Sequence, residues 1–197
     1  MFIFINICCI GQVGHFICMS NKHIIFKSIQ PPIINLFLYE EQLENIDVNY
    51  FINKIKNNVD KDLSHKTNVK GKMTGWYCFR NDPNMKNLLG TANSLVSILK
   101  LPPIRLDECW GTWSSTSVET LEHKHTPADV SAILYLTEGG PGTFFPQFNI
   151  NIEEKIGKIV FFHADTLHSV RKCKLKKDRF LISFNFNKLK FWENNNG

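Results

Sequence analysis

Apolar residues recur at helical spacing in two stretches of the chain and at strand spacing in the remainder of its C-terminal half. From Glu41 to Lys61, Leu43, Ile46, Phe51, Ile55 and Val59 return about every turn among polar neighbours, which predicts an amphipathic helix ending before Leu63. A second helix or helix pair is predicted over Met85 to Lys100, where Leu88, Leu89, Leu95, Val96, Ile98 and Leu99 cluster ahead of the stop at Pro102-Pro103. From Arg105 onward the rhythm changes to short runs separated by turn residues. The predicted strands are Cys109 to Trp113, Ser117 to His123, Val130 to Leu136, Thr143 to Phe145, Lys158 to Phe162 and Arg179 to Phe186. No span between them is built like a crossover helix, so the sheets are expected to be antiparallel. The fold class that follows is mainly β with flanking helices: a jelly roll, or cupin-like double-stranded β-helix, with the helices packed outside.

The remaining stretches set the boundaries. Residues 1 to about 40 hold short apolar runs broken by Gly11, Gly14 and Pro31-Pro32, with Phe37 to Tyr39 read as a strand. Asp60 to Lys72 is expected to be a loop, Trp76 to Phe79 a strand and Asn81-Asp82-Pro83 a turn. A chain of 197 residues with 43% hydrophobic side chains can bury one sizeable core. One domain is therefore expected, with 1–104 as an N-terminal extension and its supporting elements, 105–190 as the β-rich core, and 191–197 as a frayed tail. The opening MFIFINICCIGQVGHFICM is apolar but contains Asn6, Gln12 and His15 and has no basic region before the apolar run. It is read as a strand or extension in preference to a signal peptide or membrane anchor.

Charge and cysteines narrow the setting. Lys and Arg exceed Asp and Glu by 23 to 18, a net charge of +5, and much of the excess falls between Arg171 and Arg179, which reads as a solvated basic loop. Nucleic acid is a weakly supported partner on that basis, and nothing bears on oligomeric state. The six cysteines show no CxxC or other metal-ligand spacing, so a reduced compartment is expected, cytoplasmic or intracellular in a host.

Three histidines carry the candidate chemistry. His123 and His125 flank Lys124, and residues two apart on a strand face the same way, so both imidazoles can enter one cavity. His168 follows the apolar run Ile159 to Phe162 and a short loop, where it can approach from a neighbouring strand. Three nitrogen ligands leave coordination positions open, as expected of non-haem iron more than of a closed structural zinc site. The bland alternative makes His123 a surface residue, His125 a turn cap and His168 a satisfied histidine at the core edge. Asp129 is the reserve carboxylate ligand, Glu122 has the opposite parity to His123, and His163 is read as structural. Arg179 opens the strand RFLISFNF and shares parity with Leu181, Ser183 and Asn185, so it can fork onto a carboxylate in the same cavity. Tyr135 and Ser183 are secondary donors to that acid. Trp76, Trp110 and Trp113 either line the entrance or belong to the core margin.

These pieces together resemble the iron(II)- and 2-oxoglutarate-dependent oxygenase superfamily, particularly small members from phages and microbes. The resemblance covers roughly residues 105 to 187 and rests on Trp113, HKHTPADVSAILYL from His123, Gly142-Thr143-Phe144-Phe145-Pro146 and RFLISFNF. It implies that His123 and His168 ligate iron, that Arg179 holds the distal carboxylate of 2-oxoglutarate, and that O2 is the oxidant. Hydroxylation of a substrate would then be coupled to decarboxylation of 2-oxoglutarate to succinate. His125 stands where most of the superfamily has Asp or Glu. That departure leaves three outcomes: a three-histidine iron site, recruitment of another acid, or loss of oxygenase activity. Leu181 occupies the Ser position of the frequent RxS pattern, with Ser183 one strand repeat later. The competing readings are an inactive jelly-roll binding protein and a nucleic-acid demethylase.

Overall fold

In the computed structural model, residues 6–9, 15–19, 22–29, 34–59 and 68–189 are described. The end of the first predicted helix at Lys61, most of the loop after Asp60 and the tail from residue 191 lie outside them. The strands, in chain order, are β1 Asn6–Cys9, β2 His15–Met19, β3 Lys22–Ile29, β4 Ile34–Gln42, β5 Lys72–Met73, β6 Ile104–Ser114, β7 Ser117–His123, β8 Val130–Tyr135, β9 Thr143–Phe145, β10 Ile150–Ile152, β11 Lys158–His163, β12 His168–Lys174 and β13 Arg179–Lys188. Helix α1 spans Val48–Asn58 and α2 spans Lys86–Leu99.

Two antiparallel sheets face each other in jelly-roll-like order. One runs β1-β2-β3-β4-β11-β8-β13-β6-β5 and the other β10-β9-β12-β7. From β6 onward the chain alternates between them: β6, β8, β11 and β13 in the larger sheet, β7, β9-β10 and β12 in the smaller. β3 and β4 extend the larger sheet through the pairing of β4 with β11.

The alternation of side chains decides which residues meet the site. On the central strands one face, with Leu134, Phe161, Ile182 and Phe184, packs against the helices through Phe51, Ile55, Leu88 and Leu95. The other, with Ile133, Tyr135, Val160, Phe162 and Leu181, packs against Phe145 and Ile152 of the smaller sheet. Because β13 is buried on both faces, it reads as a nearly continuous apolar run. Asp47 caps α1 by accepting from the backbone N–H of Tyr50 at 2.9 Å, so the helix starts six residues after β4 ends and later than its hydrophobic period suggests.

Three expectations are corrected. Trp76 to Phe79 is no strand: backbone bonds Cys78 N–H to Gly75 O and Arg80 N–H to Tyr77 O wind it into consecutive turns that bury Phe79 and leave Tyr77 outward. β10 is an additional strand. The supposed basic loop is largely β12, with Val170 buried on one side and Arg171, Lys172 and Lys174 exposed, while Arg179 is buried and belongs to β13.

Helix α1 is seated on β6 at Gly111, where an added Cβ would intrude on Ile55 Cγ1 and lie 2.8 Å from its Cδ1. Gly111→Ala is expected to destabilise the protein by about 1–3 kcal/mol, the usual cost of overpacking a filled core. Thermal unfolding checks this, and an unchanged midpoint would mean that α1 can move away from β6.

Candidate metal centre and its cavity

His123 ends β7, His168 opens β12, and the two are direct cross-strand partners. His125 lies two residues past the end of β7, in the turn region before β8, and not on a strand as the parity argument supposed. The backbone N–H of His125 donates to Ala164 O at 2.9 Å, which ties that turn to the loop between β11 and β12. One ring nitrogen from each histidine lies within 4.8 Å of the others.

The ring orientations are set from behind. Nδ1 of His123 is 2.8 Å from Leu121 O, Nδ1 of His168 is 3.1 Å from Thr166 O, and Nδ1 of His125 is 2.7 Å from Asn185 Oδ1. All three partners are carbonyl oxygens, so each Nδ1 carries the proton and donates it, leaving Nε2 as a lone pair. Nε2 of His123 and Nε2 of His125 are then 3.2 Å apart with no proton between them. Facing lone pairs repel, and a cation among them removes the repulsion. Burial lowers the pKa of His123 and His168 and pushes that of His125 down to about 4. All three therefore favour the neutral imidazole that binds metals. On donor chemistry and orientation, the residues fit a divalent metal with open positions.

The three rings line a cavity of about 680 Å³. Thr120, Ile133, Thr143, Val170, Leu181 and Ser183 contribute to its walls, with Arg179 among them. The side chain of Arg179 is 4% exposed, and its Nε donates to Glu154 Oε1 at 2.8 Å. Its Nη2 is buried and without a hydrogen-bond partner among the described residues. A buried guanidinium N–H is rarely left unmatched, so this donor fits an incoming carboxylate. Glu154 also accepts from the backbone N–H of Gly142 at 3.2 Å, and a Cβ on Gly140 would collide with its carboxylate.

Of the two proposed helper donors, Ser183 lines the cavity. Tyr135 is fully buried beside it and donates to Thr143 Oγ1 at 2.6 Å, so Thr143 presents the hydroxyl there. Asp129 is engaged by the backbone N–H of Lys188 at 2.8 Å and is not in the histidine cluster, and Glu122 is exposed. His163 packs edge-on against Phe37. At the mouth, Trp76 stands edge-on to Trp110 with ring centroids 4.7 Å apart, and Trp110 stacks on His125 at 5.9 Å. Trp113 faces the other way and stacks on Phe180.

Sequence reasoning missed Glu154, Glu108 and Thr143, and gave Asn185 no role. Only Asn185 carried a signal, its shared parity with Arg179. Glu154 sits in Glu153-Glu154-Lys155, a polar triplet that reads as surface.

No protein-family model matches this sequence, and no curated protein matches it. Solved structures do match its fold. A Pseudomonas putida prolyl-4-hydroxylase superposes with a TM-score of 0.56 at 16% identity, covering 77% of this chain and 92% of that one. HygX from Streptomyces hygroscopicus, solved with nickel, 2-oxoglutarate and hygromycin B, gives 0.60 at 12% identity over 78% and 83%. The non-haem alpha-ketoglutarate-dependent epimerase SnoN of nogalamycin biosynthesis gives 0.57 at 16% over 77% of each chain. No helix among the described residues is long and apolar enough to cross a membrane. With its two facing antiparallel sheets in jelly-roll-like order, the chain shares the fold of these solved structures.

Proposed function

We propose that the protein is an iron(II)- and 2-oxoglutarate-dependent oxygenase that hydroxylates a substrate entering past Trp76 and Trp110 while 2-oxoglutarate is converted to succinate and carbon dioxide. The observation that carries this reading is a single cavity lined by three metal-competent imidazoles and by a buried guanidinium with an unmatched donor. The two features are complementary to the two ends of a 2-oxo diacid: a chelating oxo-acid end and a carboxylate tail.

His123, His125 and His168 would hold the iron, and Arg179 Nη2 would take the distal carboxylate. Bound iron would supply the activation of O2 that a protein side chain cannot. The residues do the rest of the work. Glu154 fixes the guanidinium through Nε, so the ligand meets a preset fork. Leu181, Ile133 and Val170 give the cavity dry walls that strengthen each polar contact inside it. Trp110, stacked on His125, limits which substrate bonds reach the metal side.

The decisive assay exposes the anaerobically reconstituted protein to O2 and measures succinate while substrates are screened. Succinate that requires both iron and 2-oxoglutarate supports the proposal. Binding of both without succinate favours a jelly-roll binding protein instead.

Three neutral imidazoles give the metal less negative charge than two imidazoles and a carboxylate. His125→Asp is therefore expected to retain iron more tightly than the parent under equal iron supply, by roughly 10-fold, the scale on which changes around a metal site act. Chelator competition reads this directly, and tighter retention by the parent would contradict it.

A further inference from the structure

We propose that Glu108 is a positioning residue that fixes the tautomer of His125 through the side-chain amide of Asn185. The inference rests on reading His125 as a metal ligand.

The three histidines are not oriented alike. His123 and His168 donate to main-chain carbonyls, which cannot reverse their polarity. His125 alone depends on a side-chain group, the Asn185 amide, whose oxygen and nitrogen exchange places on a half-turn about the last torsion. If Asn185 turned, its NH2 would face His125 Nδ1. The imidazole would then move its proton to Nε2, where a metal cannot bind.

Asn185 sits between two neighbouring strands. It is paired with Ser131 on β8 and with Glu108 on β6. Its Oδ1 accepts from Ser131 Oγ at 2.8 Å and from His125 Nδ1 at 2.7 Å, while its Nδ2 donates to Glu108 Oε2 at 2.7 Å. Two of these three partners are indifferent to polarity: a serine hydroxyl donates or accepts, and so does a neutral imidazole nitrogen. The Glu108 carboxylate only accepts. It demands the NH2 of Asn185, which sends Oδ1 toward His125 and the proton of His125 to Nδ1. A register shift in the β6–β13 pairing falls just beyond Asn185, where Phe186 pairs with Leu106, leaving Asp107 as the extra residue beside Glu108. Irregularities of this kind re-aim side chains next to sites.

The test uses the full chain without 2-oxoglutarate, so it does not depend on turnover. Long-range proton–nitrogen NMR of the metal-free protein should show His125 protonated at Nδ1. Glu108→Gln replaces an acceptor by a group that satisfies either polarity. His125 is then expected to become a mixture of tautomers while His123 and His168 stay unchanged, and affinity for Ni(II) alone should fall by about 10- to 100-fold, the usual loss for an outer hydrogen-bond partner. Adding Asn185→Asp to Glu108→Gln puts an acceptor-only group against His125 and Ser131 and gives the new amide at position 108 a carboxylate to donate to. That double variant should recover the Nδ1–H tautomer and most of the Ni(II) affinity. A merely structural role for Glu108 does not predict this rescue, and the rescue keeps the idea testable if the single variant folds poorly. An unchanged His125 tautomer in Glu108→Gln, or a double variant no better than the single, would overturn the proposal. The tautomer shift in Glu108→Gln together with a parent protein that binds iron and 2-oxoglutarate but forms no succinate would sink the oxygenase reading and leave this inference standing.

Discussion

His168→Ala is expected to weaken Ni(II) or Fe(II) binding by at least about 100-fold, beyond the range in which loss of an outer partner acts. His168 is 3% exposed, stands opposite His123 in the β7–β12 pairing, and packs between Phe145 and Phe162 with ring centroids at 5.8 and 4.7 Å. Its removal leaves two nitrogens where three converge. The aromatic wall closes off that side, and among the described residues no carboxylate joins the histidine cluster: Asp129 is held by Lys188, Glu154 by Arg179 and Glu108 by Asn185. Isothermal titration with the metal alone measures the change. The metal-free variant should fold normally, since a crowded set of lone pairs has been relieved at the expense of a small cavity. Retained affinity would mean that the three rings do not share one ion.

Arg179→Ala is expected to weaken 2-oxoglutarate binding to the metal-loaded protein by about 100-fold, a loss of roughly 2–3 kcal/mol, with little change in metal affinity. The guanidinium is the buried cation of the cavity wall, and its Nη2 is the donor left without a partner. The same change leaves Glu154 with a side chain 1% exposed and no counter-charge. Breaking a buried pair on one side costs about 3–5 kcal/mol of stability. Loss of binding in the single variant would therefore be mixed with loss of fold. Combining Arg179→Met with Glu154→Gln removes both charges together and retains an acceptor for Gly142 N–H. That variant should recover much of the stability and still bind 2-oxoglutarate poorly. Unchanged cosubstrate affinity in either variant rejects the role given to Arg179.

The architecture was legible wherever burial on both sides of a strand leaves an apolar run. β8, β11 and β13 are such strands, and the sequence places them to within a residue or two. β12 was hidden because it is covered on one side only. Its inward residues His168 and Val170 are followed by Arg171, Lys172 and Lys174, so charge masks the alternation. Trp76 to Phe79 misled for the opposite reason: three aromatic side chains in four residues look like a strand, but they serve a turn that divides them between core and cavity mouth.

The site was legible in part. The histidine spacing and the parity of Arg179 with Ser183 and Asn185 predicted side chains that the structure places around one cavity, although His125 reaches it from a turn and Tyr135 is hydrogen-bonded to Thr143 instead of lining it. What the sequence conceals is the carboxylates, Glu108 and Glu154. Their roles depend on register and loop geometry between residues 77 and 25 positions away from their partners, and no local pattern separates them from surface acids.

The central claim is that one metal ion lies among imidazoles 123, 125 and 168 within reach of a diacid held by Arg179. Anaerobic titration of Fe(II) followed by 2-oxoglutarate, monitored by visible absorption, tests it most directly. A charge-transfer band that appears only with both present, and is lost in His168→Ala, is the expected result. No band at saturating iron and 2-oxoglutarate would contradict it.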